Sequence, residues 1–172
     1  MPPHNMPMTM IGASLLWAGW FGFNVGSELA ADGVAGAVMI NTQVATAAAV
    51  LGWLLIESLQ KGKASMLGGA SGAIAGLVAI TPACAVVGPM GAIILGFVAS
   101  LVAYWACTSL KKVIGYDDSL DVFGIHGVAG IIGAIGLAIL MSPTFGGVGF
   151  DEGASMASQF VIQAKSVGIT IV

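Results

Sequence analysis

The sequence predicts an all-α polytopic membrane protein, a bundle of apolar helices that cross a bilayer. Three observations carry that prediction. Charged residues make up only 8% of the 172 residues, against about 25% in an ordinary soluble domain. Hydrophobic residues reach 58% and the mean hydropathy is +1.00. The 26 glycines follow no collagen period, and small residues are what let helices approach closely in lipid. So little charge cannot cover a soluble globule or keep a chain disordered. With five basic residues, all lysine, and a formal charge of −3, nothing here would grip a nucleic-acid backbone.

A spanning helix takes about 20 mostly apolar residues. The first predicted span, 8–25, ends at an acidic turn, Ser27-Glu28 through Asp32-Gly33. The second, 34–56, runs into the basic loop Gln60-Lys61-Gly62-Lys63. The third, 65–80, is short and rich in small residues, and a turn with two prolines, Thr81-Pro82 through Gly88-Pro89, closes it. The fourth, 86–110, stops at Lys111-Lys112. The fifth, 120–141, carries a glycine at every third position from Gly124 to Gly136. A Gly-rich acidic loop, Ser142-Pro143 through Gly153, precedes a sixth span that begins near 157 and is still running at Val172. That ending predicts a fragment cut at the C-terminus.

Four of the five lysines fall in the second–third and fourth–fifth loops. Two spans separate those loops, so they share a membrane face, and the positive-inside rule makes it cytoplasmic. The N-terminus has no basic region of the kind that starts a secretory signal. Cys84 and Cys107 show neither metal spacing nor a disulfide framework, and read as packed apolar-like residues. No nucleophile–base pair, phosphate loop or metal cluster argues for an enzyme.

Gly22-x-x-x-Gly26 and Gly68-x-x-x-Gly72-x-x-x-Gly76 set glycines one helical turn apart, which reads as close helix packing. His126 lies inside the fifth span. An ionisable ring at membrane depth faces a pathway or a partner, and imidazole can donate, accept or carry a proton. A packing histidine bonded to a carbonyl is the equal alternative. Val122, one turn earlier, shares its face. Asp121 is a candidate helix cap or dipole partner, with a cation-stabilising role at a pore mouth as the second reading. Trp17, Trp20, Phe21 and Phe23 close the first span. They fit an interfacial aromatic belt, and they also fit cation–π attraction for a small cation, with Ser27 adding a hydroxyl. Lys165 snorkels, pairs or faces the interior. His4 needs no special role.

The run Gly19-Trp20-Phe21-Gly22-Phe23-Asn24-x-Gly26-Ser27 resembles the ammonium transporter family (Amt, related to the Rh proteins). The resemblance continues through Asn41-Thr42, Gly72 to Val78, Thr81-Pro82-Ala83-Cys84, Asp117-Asp118 through Asp121-Val122-Phe123-Gly124-Ile125-His126-Gly127, and Gly146 to Phe150. It implies an eleven-helix protomer built from two inverted five-helix repeats and assembled as a trimer with one pore per subunit. This chain would be the second repeat plus the start of the last helix, in a cell membrane. It implies that Trp20 and Ser27 belong to an outer ammonium-recruitment site, that Phe23 is one of two stacked gate rings, and that His126 is the second of two pore histidines. The first histidine, the other gate ring and another vestibule tryptophan would lie on a first repeat outside this chain. No cofactor is implied. A PII signalling protein is the implied cytoplasmic partner, although Lys61-Gly62-Lys63 reads first as topology-setting charge. An ammonium sensor on the same scaffold is the alternative function. An independent oligomerising membrane protein is a third.

Overall fold

The computed structural model describes residues 3–171, all helix, turn or loop among the described residues. Helix α1 spans Met6–Asn24; the Asn5 side chain accepts the Met8 N–H and Pro7 occupies the first turn. Helix α2 spans Gly33–Lys61, with the Asp32 carboxylate accepting the Val34 and Ala35 N–H groups. Helix α3 spans Met66–Ile80 and is capped by Ser65. Helix α4 (Pro89–Trp105) continues through a π-turn (Ala106–Leu110) into α5 (Lys111–Ile114). A second π-turn, Phe123–Val128, leads into α6 (Ala129–Leu140). Helix α7 spans Met156–Ile171.

Among the described residues, three rods are long and apolar enough to cross a membrane: Gly33–Lys61, Pro89–Ile114 and Phe123–Leu140. The 29 residues of α2 give a rod of roughly 44 Å at 1.5 Å per residue, longer than the roughly 30 Å hydrocarbon layer. Four ends differ from the sequence expectation by three residues or more; one is the end of the fourth rod, which runs past 110 to Ile114 through the π-turn. Helix α2 runs past 56 because the buried Glu57 carboxylate meets Lys61 at 3.2 Å and takes the Ser65 N–H at 3.0 Å, which secures the last turn before left-handed Gly62. The fourth rod begins at Pro89, not 86. Residues 81–88 form successive turns, and the Asn41 amide donates to two of their carbonyls, Cys84 at 2.9 Å and Val87 at 2.7 Å. The fifth begins at Phe123 rather than 120, because Asp121 is left-handed (φ 57).

Helices α2, α3, α4 and α6 pack as the centre, with α1 set against α3 and α7 against α6. One core cluster holds Val38, Ile80, Leu95, Leu137 and Leu140; a second holds Trp53, Tyr104, Ile125 and alanines of α3, α4 and α6. Glycine sets the spacing. A Cβ on Gly76 would lie 2.6 Å from the Ala49 Cβ, and one on Gly72 would lie 2.8 Å from the Trp53 Cβ. The fifth-span stripe divides its contacts, with Gly133 against the Ala79 carbonyl of α3 and Gly136 against Leu95 of α4. The close packing expected of Gly22 and Gly26 is not made within this chain, where a Cβ on either would meet nothing within 4 Å.

Candidate functional site

The expected site residues fall into two groups. The first is the C-terminal end of α1. Trp20 and Phe23 are three residues apart on one helix face and meet edge-on, with ring centroids 5.8 Å apart and planes at 62°. The indole Nε1–H of Trp20 donates to Thr81 Oγ1 at 2.8 Å. That hydroxyl donates in turn to the Leu77 carbonyl at 2.7 Å, so its lone pairs are left for the indole. Phe23 is 61% exposed. Ser27, also exposed, donates to the Phe23 carbonyl at 2.6 Å across the start of a short 3-10 turn. This end therefore presents two rings and a hydroxyl oxygen to whatever reaches it, the chemistry that attracts a small N–H-bearing cation.

The second group lies on the π-turn Phe123–Val128. His126 and Val122 line one groove of about 280 Å³ with Gly12 and Leu16 of α1 and Ile74 of α3. The imidazole also borders a second groove, about 330 Å³, with Phe123, Ser166 and Thr170. Val122 is 51% exposed. Both grooves have mostly apolar linings with few polar groups, so an intact cation there would lose hydration and gain little in return. A π-turn is rare, and it widens the helix where a functional side chain is displayed.

Asp121 corrects the capping expectation. The side chain that caps this segment is Asp118, which is buried. Its carboxylate accepts three backbone N–H groups: Val122 at 2.7 Å, Phe123 at 3.0 Å and Gly124 at 3.4 Å. Asp121 instead pairs with Lys111 at 2.9 Å, and Lys111 also donates to the Asp118 carbonyl. Lys61 is tied to Glu57 and lies 5.7 Å from the Tyr104 ring. Lys61 and Asp121 line one small cavity, so the two lysine-bearing loops share an end of the bundle. Lys165 is exposed on α7, and the described residues include no cluster suited to a metal. Cys84 is buried and Cys107 partly so, and neither forms a disulfide.

Two residues that hold the groups in place, Thr81 and Asp118, stand inside motifs of the sequence but were not among its candidates. A cap is sought next to the first helical residue. Asp118 lies five positions before Phe123 and reaches it only because the chain turns back at Asp121.

The fold and the grooved apolar helices define a multi-pass helical membrane protein. Comparison with known proteins makes that specific: residues 1–172 match the Ammonium Transporter Family, and the chain belongs to it. It is 50% identical over 149 residues to an ammonium transporter of Bacillus subtilis (strain 168), covering 87% of this chain and 37% of that protein. It is 47% identical over 170 residues to one of Aquifex aeolicus (strain VF5), covering 98% and 40%. Among solved structures, a sensor Amt protein superposes with a TM-score of 0.88 at 32% identity, covering 96% of this chain and 40% of that one. Saccharomyces cerevisiae Mep2 gives 0.83 at 31%, covering 97% and 41%. The chain thus spans about two fifths of the length of these relatives.

Proposed function

We propose that this chain forms one wall of an ammonium/ammonia pathway through a cell membrane, as the second inverted repeat of the ammonium transporter fold plus the start of its last helix. The observation that carries the reading is the pair of groups at different levels of one bundle: half-buried Trp20 with exposed Phe23 and Ser27 at the end of α1, and exposed Val122 and His126 on the groove that α1 also lines. Both groups lie open in this chain, as they would if a complementary helical repeat, contributing a second histidine and a second gate ring, closed over them.

Charge alone cannot separate ammonium from potassium, because the two ions match in charge and nearly in size. Ammonium can donate hydrogen bonds and can lose a proton; potassium can do neither. The rings of Trp20 and Phe23 and the Ser27 hydroxyl recruit the cation. The apolar stretch at Val122 makes passage of an intact ion costly, which favours loss of the proton near the outer site. His126 then offers the neutral ammonia a hydrogen-bond partner and offers the proton a ring nitrogen that can accept it. Asp121, tied to Lys111, supports the inner end. In the membrane the lysine-bearing end faces the cytoplasm, homotrimeric assembly follows the family architecture, and a PII signalling protein is the regulatory partner on that face.

Labelled methylammonium uptake tests the recruitment half. Phe23→Ala and Ser27→Ala should raise the apparent KM severalfold; an unchanged KM in both rejects an outer site here. The second reading, a sensor on the same scaffold, is favoured by the superposition on the sensor Amt protein. Saturable ammonium binding without flux in reconstituted protein would select it.

A further inference from the structure

We propose that Asp118 is the positioning residue for His126, working through the backbone of the π-turn with Lys111 as its clamp; the role in transport rests on the pathway reading above. Asp121 adopts a left-handed conformation (φ 57) that is unusual for a residue other than glycine, though aspartate is among those that tolerate it. That turn reverses the chain, so the N–H groups of Val122, Phe123 and Gly124 all point back at one carboxylate, that of Asp118. Lys111 holds both ends of the reversal, bonding the Asp118 carbonyl and the Asp121 carboxylate.

Those N–H groups belong to the last loop residue and the first two residues of the π-turn, with His126 two residues further on. A carboxylate held by three N–H groups fixes the rotation of that turn about its axis, and the rotation decides whether the imidazole stands between the two grooves or swings into one of them. The neighbours reinforce it. Tyr116 packs edge-on against Phe123 at 5.2 Å. Gly124 sits against Cys107 of the other π-turn, where a Cβ would overlap the sulfur. Buried carboxylates of this kind are normally explained by stability alone; here the groups bound are the ones that aim a ring.

The test uses the protein as its gene encodes it, reconstituted in liposomes with ¹⁵N-labelled histidine and tryptophan. The His126 ring signal is assigned by its loss in His126→Gln, and the Trp20 indole signal serves as a control from the opposite end. In Asp118→Ala the His126 signal should shift while the Trp20 signal stays. Methylammonium uptake should fall about 100-fold, the scale of an ångström's misplacement of an active group. Asp118→Asn keeps one oxygen acceptor and should recover part of both. An unmoved His126 signal in Asp118→Ala overturns the proposal, whatever uptake does. A moved signal with unchanged uptake upholds the positioning and removes His126 from the pathway. If Asp118→Ala does not accumulate, Asp118→Asn and Lys111→Met decide: a His126 shift in either supports the proposal, and no shift in both overturns it.

Discussion

The two ends of the candidate pathway are built in opposite ways. At the end of α1, Trp20 is held by a side-chain hydrogen bond to Thr81, Ser27 donates to the Phe23 carbonyl one turn back, and a Cβ at Gly22 or Gly26 would meet nothing within 4 Å. At the His126 end, a buried carboxylate takes three N–H groups, a lysine clamps the turn, and the glycine stripe seats the helix against α3 and α4. The difference teaches where each kind of task can be placed. A recruitment surface tolerates rings that adjust to an arriving ion. A group that must meet a small neutral molecule in an apolar groove needs a fixed direction.

Substitutions that break the braced end should therefore cost more than those at the open end, and thermal unfolding in detergent can rank them. The largest loss is expected for Gly124→Leu, about 3 kcal/mol, because its side chain must displace Cys107, side chain and backbone, in the neighbouring π-turn. Asp118→Ala should cost about 2 kcal/mol, the loss of a cap that leaves buried donors unpaired. Thr81→Val, which removes the acceptor for Trp20 and keeps the shape, should cost about 1 kcal/mol, with Thr81→Ser restoring it. Gly22→Ala should be neutral or stabilising by about 0.5 kcal/mol, since a methyl there meets open space and alanine favours helix. A Gly22→Ala loss larger than that of Thr81→Val would show that the α1 end is packed after all and would erase the contrast.

Much of this arrangement was legible in the sequence. Apolar length and the interruptions by Lys61, Pro82 and Asp118 mark out the helices, because in lipid the hydrogen-bonded helix is the one local solution for a long apolar run. The face shared by Val122 and His126 followed from a four-residue spacing that survives the π-turn. The rest depended on contacts between distant segments. Nothing local shows that a Cβ at Gly22 or Gly26 would meet open space in this chain while one at Gly72 or Gly76 would run into α2. The capping role belonged to Asp118 rather than Asp121 because a left-handed residue and Lys111, seven residues before Asp118, turn the chain back on itself.

The most direct test of the pathway is selectivity at His126. In liposomes bearing the protein as its gene encodes it, labelled methylammonium uptake and potassium conductance are measured for the parent and for His126→Ala. A pore role for His126 predicts that the parent carries methylammonium and excludes potassium, and that His126→Ala either loses uptake or admits potassium. Uptake and exclusion both unchanged would contradict it and leave His126 as a packing residue.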